Sequence, residues 1–122
     1  MHRLWRATVN SWNGLRAIAG SEEAFRQELF VFVLSVPVAL VLATTAWKRL
    51  ALIGVIVLIM IVELLNTAIE KLGDRVSLER DPRMALIKDL GSAAVGLSLL
   101  IAAAVWLLAL AERLGLMWRA GG

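Results

Sequence analysis

The 122-residue chain contains no cysteine. That absence excludes disulfides, thiolate catalysis and cysteine-ligated zinc sites. Met1 to Gly20 have neither a long apolar core nor a small-residue cleavage site, so we do not expect a secretory signal peptide there. The net charge is only +3, and the positions of the basic residues fit membrane topology better than nucleic-acid binding, which we do not expect.

Apolar residues, in contrast, are abundant. Hydrophobic residues make up 60% of the chain, against roughly 45–50% in ordinary soluble domains. A single domain of this length could not bury so much apolar surface in water, so the composition predicts a protein that lies in lipid. We therefore expect an all-α membrane protein whose residues 1–122 form one membrane-embedded domain.

Three stretches are long and apolar enough to cross a bilayer, which takes roughly 20 residues as a helix. They are residues 29–47, 50–71 and 90–111. Only Lys48 and Arg49 separate the first two stretches, which predicts a tight hairpin between antiparallel helices at that point.

The N-terminal arm, residues 1–27, shows apolar residues at spacings of three and four, among them Leu4, Trp5 and Trp12. This periodicity predicts an amphipathic surface helix that rests in the membrane interface. The alternative is an ordinary amphipathic helix packed on protein.

Basic residues indicate the orientation in the membrane. The arm and the connection between the second and third spans hold nine of the 13 Lys and Arg residues. Because cytoplasmic segments are enriched in Lys and Arg, we expect both on the cytoplasmic side of a bacterial inner membrane, crossed several times by the chain.

Glu63 lies inside the apolar second span. An ionisable side chain at such depth costs roughly 2.5–3.5 kcal/mol, so it is a candidate functional residue. Asn66, Thr67, Glu70 and Asp74 follow on the same helical face and form a polar stripe. The alternative for Glu63 is a glutamate that only holds an oligomer together by interhelical hydrogen bonds.

Glu63 and Glu70 would be about 10 Å apart along a helix, too far to chelate one metal ion together. Two separate roles along one elongated substrate fit this spacing better. A carboxylate at the deep end suits a general base, whereas a shallower one near water and phosphate suits Mg²⁺.

Lys88 and Asp89 precede Gly91 and Ser92 at the predicted start of the third span. Free backbone N–H groups at a helix start favour anions, and a lysine there suits phosphate. The alternative is a lysine that reaches the interface, with Asp89 as the N-cap.

Four segments together resemble the prokaryotic diacylglycerol kinase family. Residues 63–74 fit its signature E-x-x-N-[ST]-x-x-E-x-x-x-D, and 11–16, 24–28 and 88–94 resemble three further blocks. The likeness covers nearly the whole chain. It departs at Gly73, where the signature usually has a branched apolar residue, and at Asn10, where well-known members carry an aromatic residue.

The resemblance implies a homotrimeric lipid kinase that uses ATP and Mg²⁺ to convert diacylglycerol into phosphatidic acid. It implies that Glu63 is the general base and that Glu22 and Glu70 bind Mg²⁺. The implied nucleotide-binding residues are Arg3, Asn10, Glu22, Glu70, Glu79, Arg80, Asp81, Lys88 and Asp89. The implied lipid-substrate residues are Arg3, Glu28, Glu63, Asn66 and Ser92.

The residues themselves agree with a kinase of this kind. The chain lacks both the P-loop motif and the H-R-D and D-F-G motifs, so it is neither a P-loop nor a protein-kinase-like enzyme. Three helices cannot shield an intramembrane carboxylate stripe from lipid, which favours an oligomer. The alternatives are an undecaprenol kinase of the same fold, a small proton-coupled exporter and a non-catalytic assembly subunit.

Overall fold

The computed structural model describes residues 1–76 and 82–115, which form four α-helices. They are α1 (His2–Ser21), α2 (Glu23–Leu42), α3 (Ala46–Val76) and α4 (Pro82–Arg113). Of these, α2, α3 and α4 are long and apolar enough to cross a membrane. The prediction of an all-helical chain with three candidate spans is therefore confirmed.

The boundary between the first two helices falls at Glu22, earlier than predicted. Glu22 has an extended backbone with φ −114° and ψ 114°, which ends α1 and starts α2. Arg26 stabilises the junction, because its Nη1 donates a 2.9 Å hydrogen bond to the carbonyl of Ala19 at the end of α1. Residues 23–28 thus form the first turns of α2 rather than the end of the predicted surface helix.

The predicted tight hairpin between α2 and α3 is present, but it lies at residues 43–45 and not at Lys48 and Arg49. The Lys48 N–H donates to Thr45 Oγ1 over 3.3 Å, as in a helix N-cap. Arg49 reaches back from α3 and donates to the carbonyl of Ala43 at 2.9 Å. Charge marks the end of an apolar run, but the capping groups determine where the helix ends.

The start of α4 also differs from the prediction. The apolar stretch begins at Leu90, whereas the helix begins at Pro82, with proline in the first turn where its missing N–H costs no hydrogen bond. Lys88 and Asp89 therefore lie within α4 and not at its start. The expected anion site built from free N–H groups at this point, and the alternative of Asp89 as an N-cap, are both wrong.

α3 lies between its neighbours and packs against both α2 and α4. Small and branched residues fill the contact: Ala39, Ala43 and Leu52 form one buried cluster, and Ile56, Ile59 and Ala102 form another. The indole of Trp106 on α4 packs against both clusters, and its Nε1 donates a 3.0 Å hydrogen bond to the Leu52 carbonyl. At the same end of the bundle, Lys48 forms an ion pair with Glu112.

We expect Trp106→Phe to lower the free energy of unfolding by about 1–2 kcal/mol, because the ring becomes smaller and one hydrogen bond is lost. Unfolding of purified protein in detergent micelles, followed by circular dichroism against rising SDS, measures the change. Trp47→Phe is the matched control, since that side chain is 80% exposed. Equal losses in the two variants would contradict the role given to Trp106.

Candidate active site

The polar stripe predicted on α3 is present and is held together by its own hydrogen bonds. Thr67 is buried, and its Oγ1 donates to Glu63 Oε1 over 3.5 Å. One turn along the same face, Asn66 Nδ2 donates to Glu70 Oε1 over 3.3 Å. Each carboxylate is thus held by a side chain four residues away, as neighbours on one face of a helix allow.

Glu28 on α2 faces the deep end of this stripe. Its carboxylate is close enough to that of Glu63 for the two to interact electrostatically. Glu28 Oε1 is buried and has no hydrogen-bond partner among the described residues. The two acidic groups therefore form a pair, one from each of two adjacent helices, with an unused hydrogen-bonding atom beside it.

An apolar groove opens next to this carboxylate pair. Its volume is about 250 Å³, and the residues that line it are Ala24, Gln27, Glu28, Val31, Ile56, Ile59 and Leu99. The groove joins an acidic group to an apolar surface. An amphiphile with a polar headgroup and an apolar tail would match this combination.

Glu22 lies beside the shallow end of the stripe. Lys71 Nζ is 3.5 Å from Glu22 Oε1, so the junction between α1 and α2 lies next to the residue that follows Glu70 in α3. The sequence analysis did not include Lys71 among the candidate site residues. Its position directly after Glu70 could have indicated that it lies near the site. The structure thereby brings Glu22 next to Lys71 across 48 residues of intervening chain.

No group of three or more Asp, Glu, His or Cys side chains within residues 1–76 and 82–115 is arranged to hold a metal ion. Mg²⁺ does not require such a group, because it is usually bound by one or two carboxylates together with substrate phosphates and water. Glu22 and Glu70 have the oxygen chemistry of such a site. They therefore fit a Mg²⁺ ion that arrives with a phosphorylated ligand.

The first turns of α4 bring a basic side chain to the same end of α3. Lys88 Nζ lies 3.3 Å from Asp74 Oδ1, and both side chains are substantially exposed. Gly91 is buried against Asn66, whereas Asp89 and Ser92 are exposed. A ligand with negative charge could thus reach Lys88 from water after displacing Asp74.

Other predicted site residues lie apart from this cluster. Arg3 and Asn10 are exposed on α1, and neither side chain forms a hydrogen bond or an ion pair with any described residue. Glu79, Arg80 and Asp81 lie outside the described residues. Their predicted contacts with a nucleotide stay predictions.

Helices that can cross a membrane, a deep carboxylate pair and a shallower group of carboxylates and lysines define a class of protein. These features are consistent with a membrane-integral enzyme that carries acidic side chains on α3 and lysines next to them. The sequence profile of the prokaryotic diacylglycerol kinases matches residues 9–110 of this chain. The chain belongs to the prokaryotic diacylglycerol kinase family.

Individual relatives agree with the profile. The diacylglycerol kinase of Escherichia coli K12 is 41% identical over 113 residues, which is 93% of this chain and 93% of the relative. That of Pseudomonas aeruginosa is 42% identical over 106 residues, 87% and 86% of the two chains. That of Haemophilus influenzae is 36% identical over 103 residues, 84% and 87% of the two chains.

Proposed function

We propose that this enzyme phosphorylates diacylglycerol to phosphatidic acid, with ATP as donor and Mg²⁺ as cofactor. The observation that supports this most directly is the polar stripe on α3, where Glu63 interacts with Glu28 of α2 and Lys71, next to Glu70, pairs with Glu22. The relatives from E. coli, P. aeruginosa and H. influenzae are all named diacylglycerol kinases.

In this proposal Glu63 is the general base. Thr67 donates to one oxygen of its carboxylate, which leaves the other oxygen to accept the proton of the lipid hydroxyl. As that O–H bond breaks, the hydroxyl oxygen forms a bond to the γ-phosphorus of ATP. The bond from the γ-phosphorus to the β,γ-bridging oxygen breaks at the same time, and ADP leaves with the electron pair.

Transfer is direct, without a phosphorylated enzyme. The chain has no cysteine, and its single histidine, His2, is at the far end of α1. Phosphoryl transfer needs mainly positioning and charge neutralisation, which a few charged side chains can supply. Glu28, Asn66 and Ser92 would contact the lipid headgroup in this scheme.

Glu22 and Glu70 would hold Mg²⁺, which neutralises charge on the ATP phosphates when it is bound. Lys88 would bind the phosphates after leaving Asp74, and Asp89 would contact the same part of the nucleotide. Arg3 and Asn10 on α1, together with Glu79, Arg80 and Asp81, complete the proposed nucleotide site.

In the membrane, α1 would lie along the cytoplasmic face of the bacterial inner membrane, and the site would open to the cytoplasm. Ile18 is the only buried residue of α1, and the side chains of Trp5 and Trp12 are 69% and 61% exposed. Exposed tryptophans of this kind are typical of membrane interfaces. A homotrimer would shield the carboxylates that one chain leaves open to lipid.

The test is an activity assay with two acceptors side by side. Purified protein in mixed micelles with MgATP is expected to convert diacylglycerol into phosphatidic acid and to leave undecaprenol largely unmodified. Faster phosphorylation of undecaprenol would reassign the substrate while keeping the kinase. No phosphorylation of either lipid would contradict the proposed function.

A further inference from the structure

Gly91 of α4 lies at a point where α3 and α4 approach very closely. A methyl group built on Gly91 would overlap Asn66 Oδ1 and would lie only 3.1 Å from Asn66 Cγ. Gly96, further along the same helix, has nothing within 4 Å of the equivalent position. A side chain at residue 91 would therefore displace the Asn66 amide, whereas one at residue 96 would meet nothing.

The amide of Asn66 is enclosed between this glycine and a site residue. Its oxygen is buried against α4 and has no hydrogen-bond partner among the described residues. Its nitrogen donates to Glu70 Oε1 over 3.3 Å. Turning the amide over would place its oxygen against the carboxylate, and two acceptors repel each other. This repulsion keeps the amide nitrogen toward Glu70, and the close approach of α4 limits how far the amide can move away from it.

We propose that Gly91 is a positioning residue that, through Asn66, fixes the Glu70 carboxylate for metal binding. The inference rests on the proposed role of Glu70 as a Mg²⁺ ligand. Mg²⁺ demands near-octahedral geometry, so it is sensitive to the orientation of each carboxylate. Outer groups that orient metal ligands typically account for about 10- to 100-fold in metal affinity.

The first experiment compares Gly91→Ala with Gly96→Ala as the matched control. An added methyl at 91 pushes the Asn66 amide away from α4 and breaks its bond to Glu70. Mn²⁺ binding is measured by electron paramagnetic resonance in micelles with a non-hydrolysable ATP analogue. The expected dissociation constant rises about tenfold in Gly91→Ala and stays unchanged in Gly96→Ala. A wild-type constant in Gly91→Ala would overturn the proposal.

A second pair of variants keeps the test decisive if Gly91→Ala fails to fold. Asn66→Ala removes the side chain that the methyl would strike, so Asn66→Ala with Gly91→Ala has room to pack. Asn66→Ala alone is expected to weaken Mn²⁺ binding about tenfold, and the double variant no further, because coupled residues are not additive. A wild-type dissociation constant for Mn²⁺ in Asn66→Ala, or a further loss of affinity in the double variant, would refute the positioning of Glu70 by Gly91 through Asn66.

Mn²⁺ binding to Glu70→Ala shows whether a negative result concerns the metal site itself or only the positioning role of Gly91. If Glu70→Ala binds Mn²⁺ like wild type, the metal site itself is misassigned. If Glu70→Ala weakens binding and Gly91→Ala does not, only the positioning role is lost.

Discussion

Replacing Glu63 with glutamine is expected to reduce turnover by about a thousandfold, within the range that general bases contribute. Glutamine has nearly the same shape as glutamate, and its side-chain oxygen can still accept the hydrogen bond from Thr67. It cannot take a proton from the lipid hydroxyl. The variant also loses the unfavourable interaction between the two acidic groups Glu63 and Glu28. We therefore expect it to fold and insert like wild type.

The measurement is phosphatidic acid formation at saturating MgATP and diacylglycerol, with the SDS unfolding midpoint recorded on the same samples. Glu112→Gln is the matched control, because Glu112 is paired with Lys48 at the opposite end of the bundle. Glu28→Gln tests the other member of the carboxylate pair. Turnover close to wild type in Glu63→Gln would exclude this residue as the base.

Removing the carboxylate of Glu70 is expected to raise the Mg²⁺ concentration for half-maximal activity at least about tenfold. Groups that only orient a metal ligand already contribute about that much to metal affinity, and loss of the ligand itself should cost at least as much. Asn66 would lose its acceptor on Glu70, but the helical contact between α3 and α4 would remain. A Mg²⁺ titration of Glu70→Ala at fixed ATP measures the shift. A titration curve that coincides with that of wild type would refute the ligand role.

The neighbouring residues Glu22 and Glu23 provide a sharper form of the same test. Glu22 is half-buried and paired with Lys71 on α3, whereas Glu23 is exposed on the first turn of α2. We expect Glu22→Ala to shift the Mg²⁺ titration and Glu23→Ala to leave it unchanged. The reverse result would move the metal ligand by one residue.

Hydropathy and helical periodicity were sufficient for the local features of this molecule. Apolar runs predicted the three long helices, because the segments must satisfy their backbone hydrogen bonds in lipid. The spacing of Glu63, Asn66, Thr67 and Glu70 predicted one polar face, since residues three and four apart are neighbours on any helix. The same signals misplaced the helix ends, because the turns depend on Thr45 and Pro82 rather than on charge.

The amino-acid pattern alone was thus enough to predict a helical protein with three segments able to cross a membrane and acidic groups on one face of the second. Which side chains meet across helices became known from the packed structure. It paired Glu28 with Glu63, brought Lys71 to Glu22 and pressed Gly91 against Asn66. The physical reason is that periodicity fixes neighbours within one helix, whereas contacts between helices depend on how closely and at what register the helices pack.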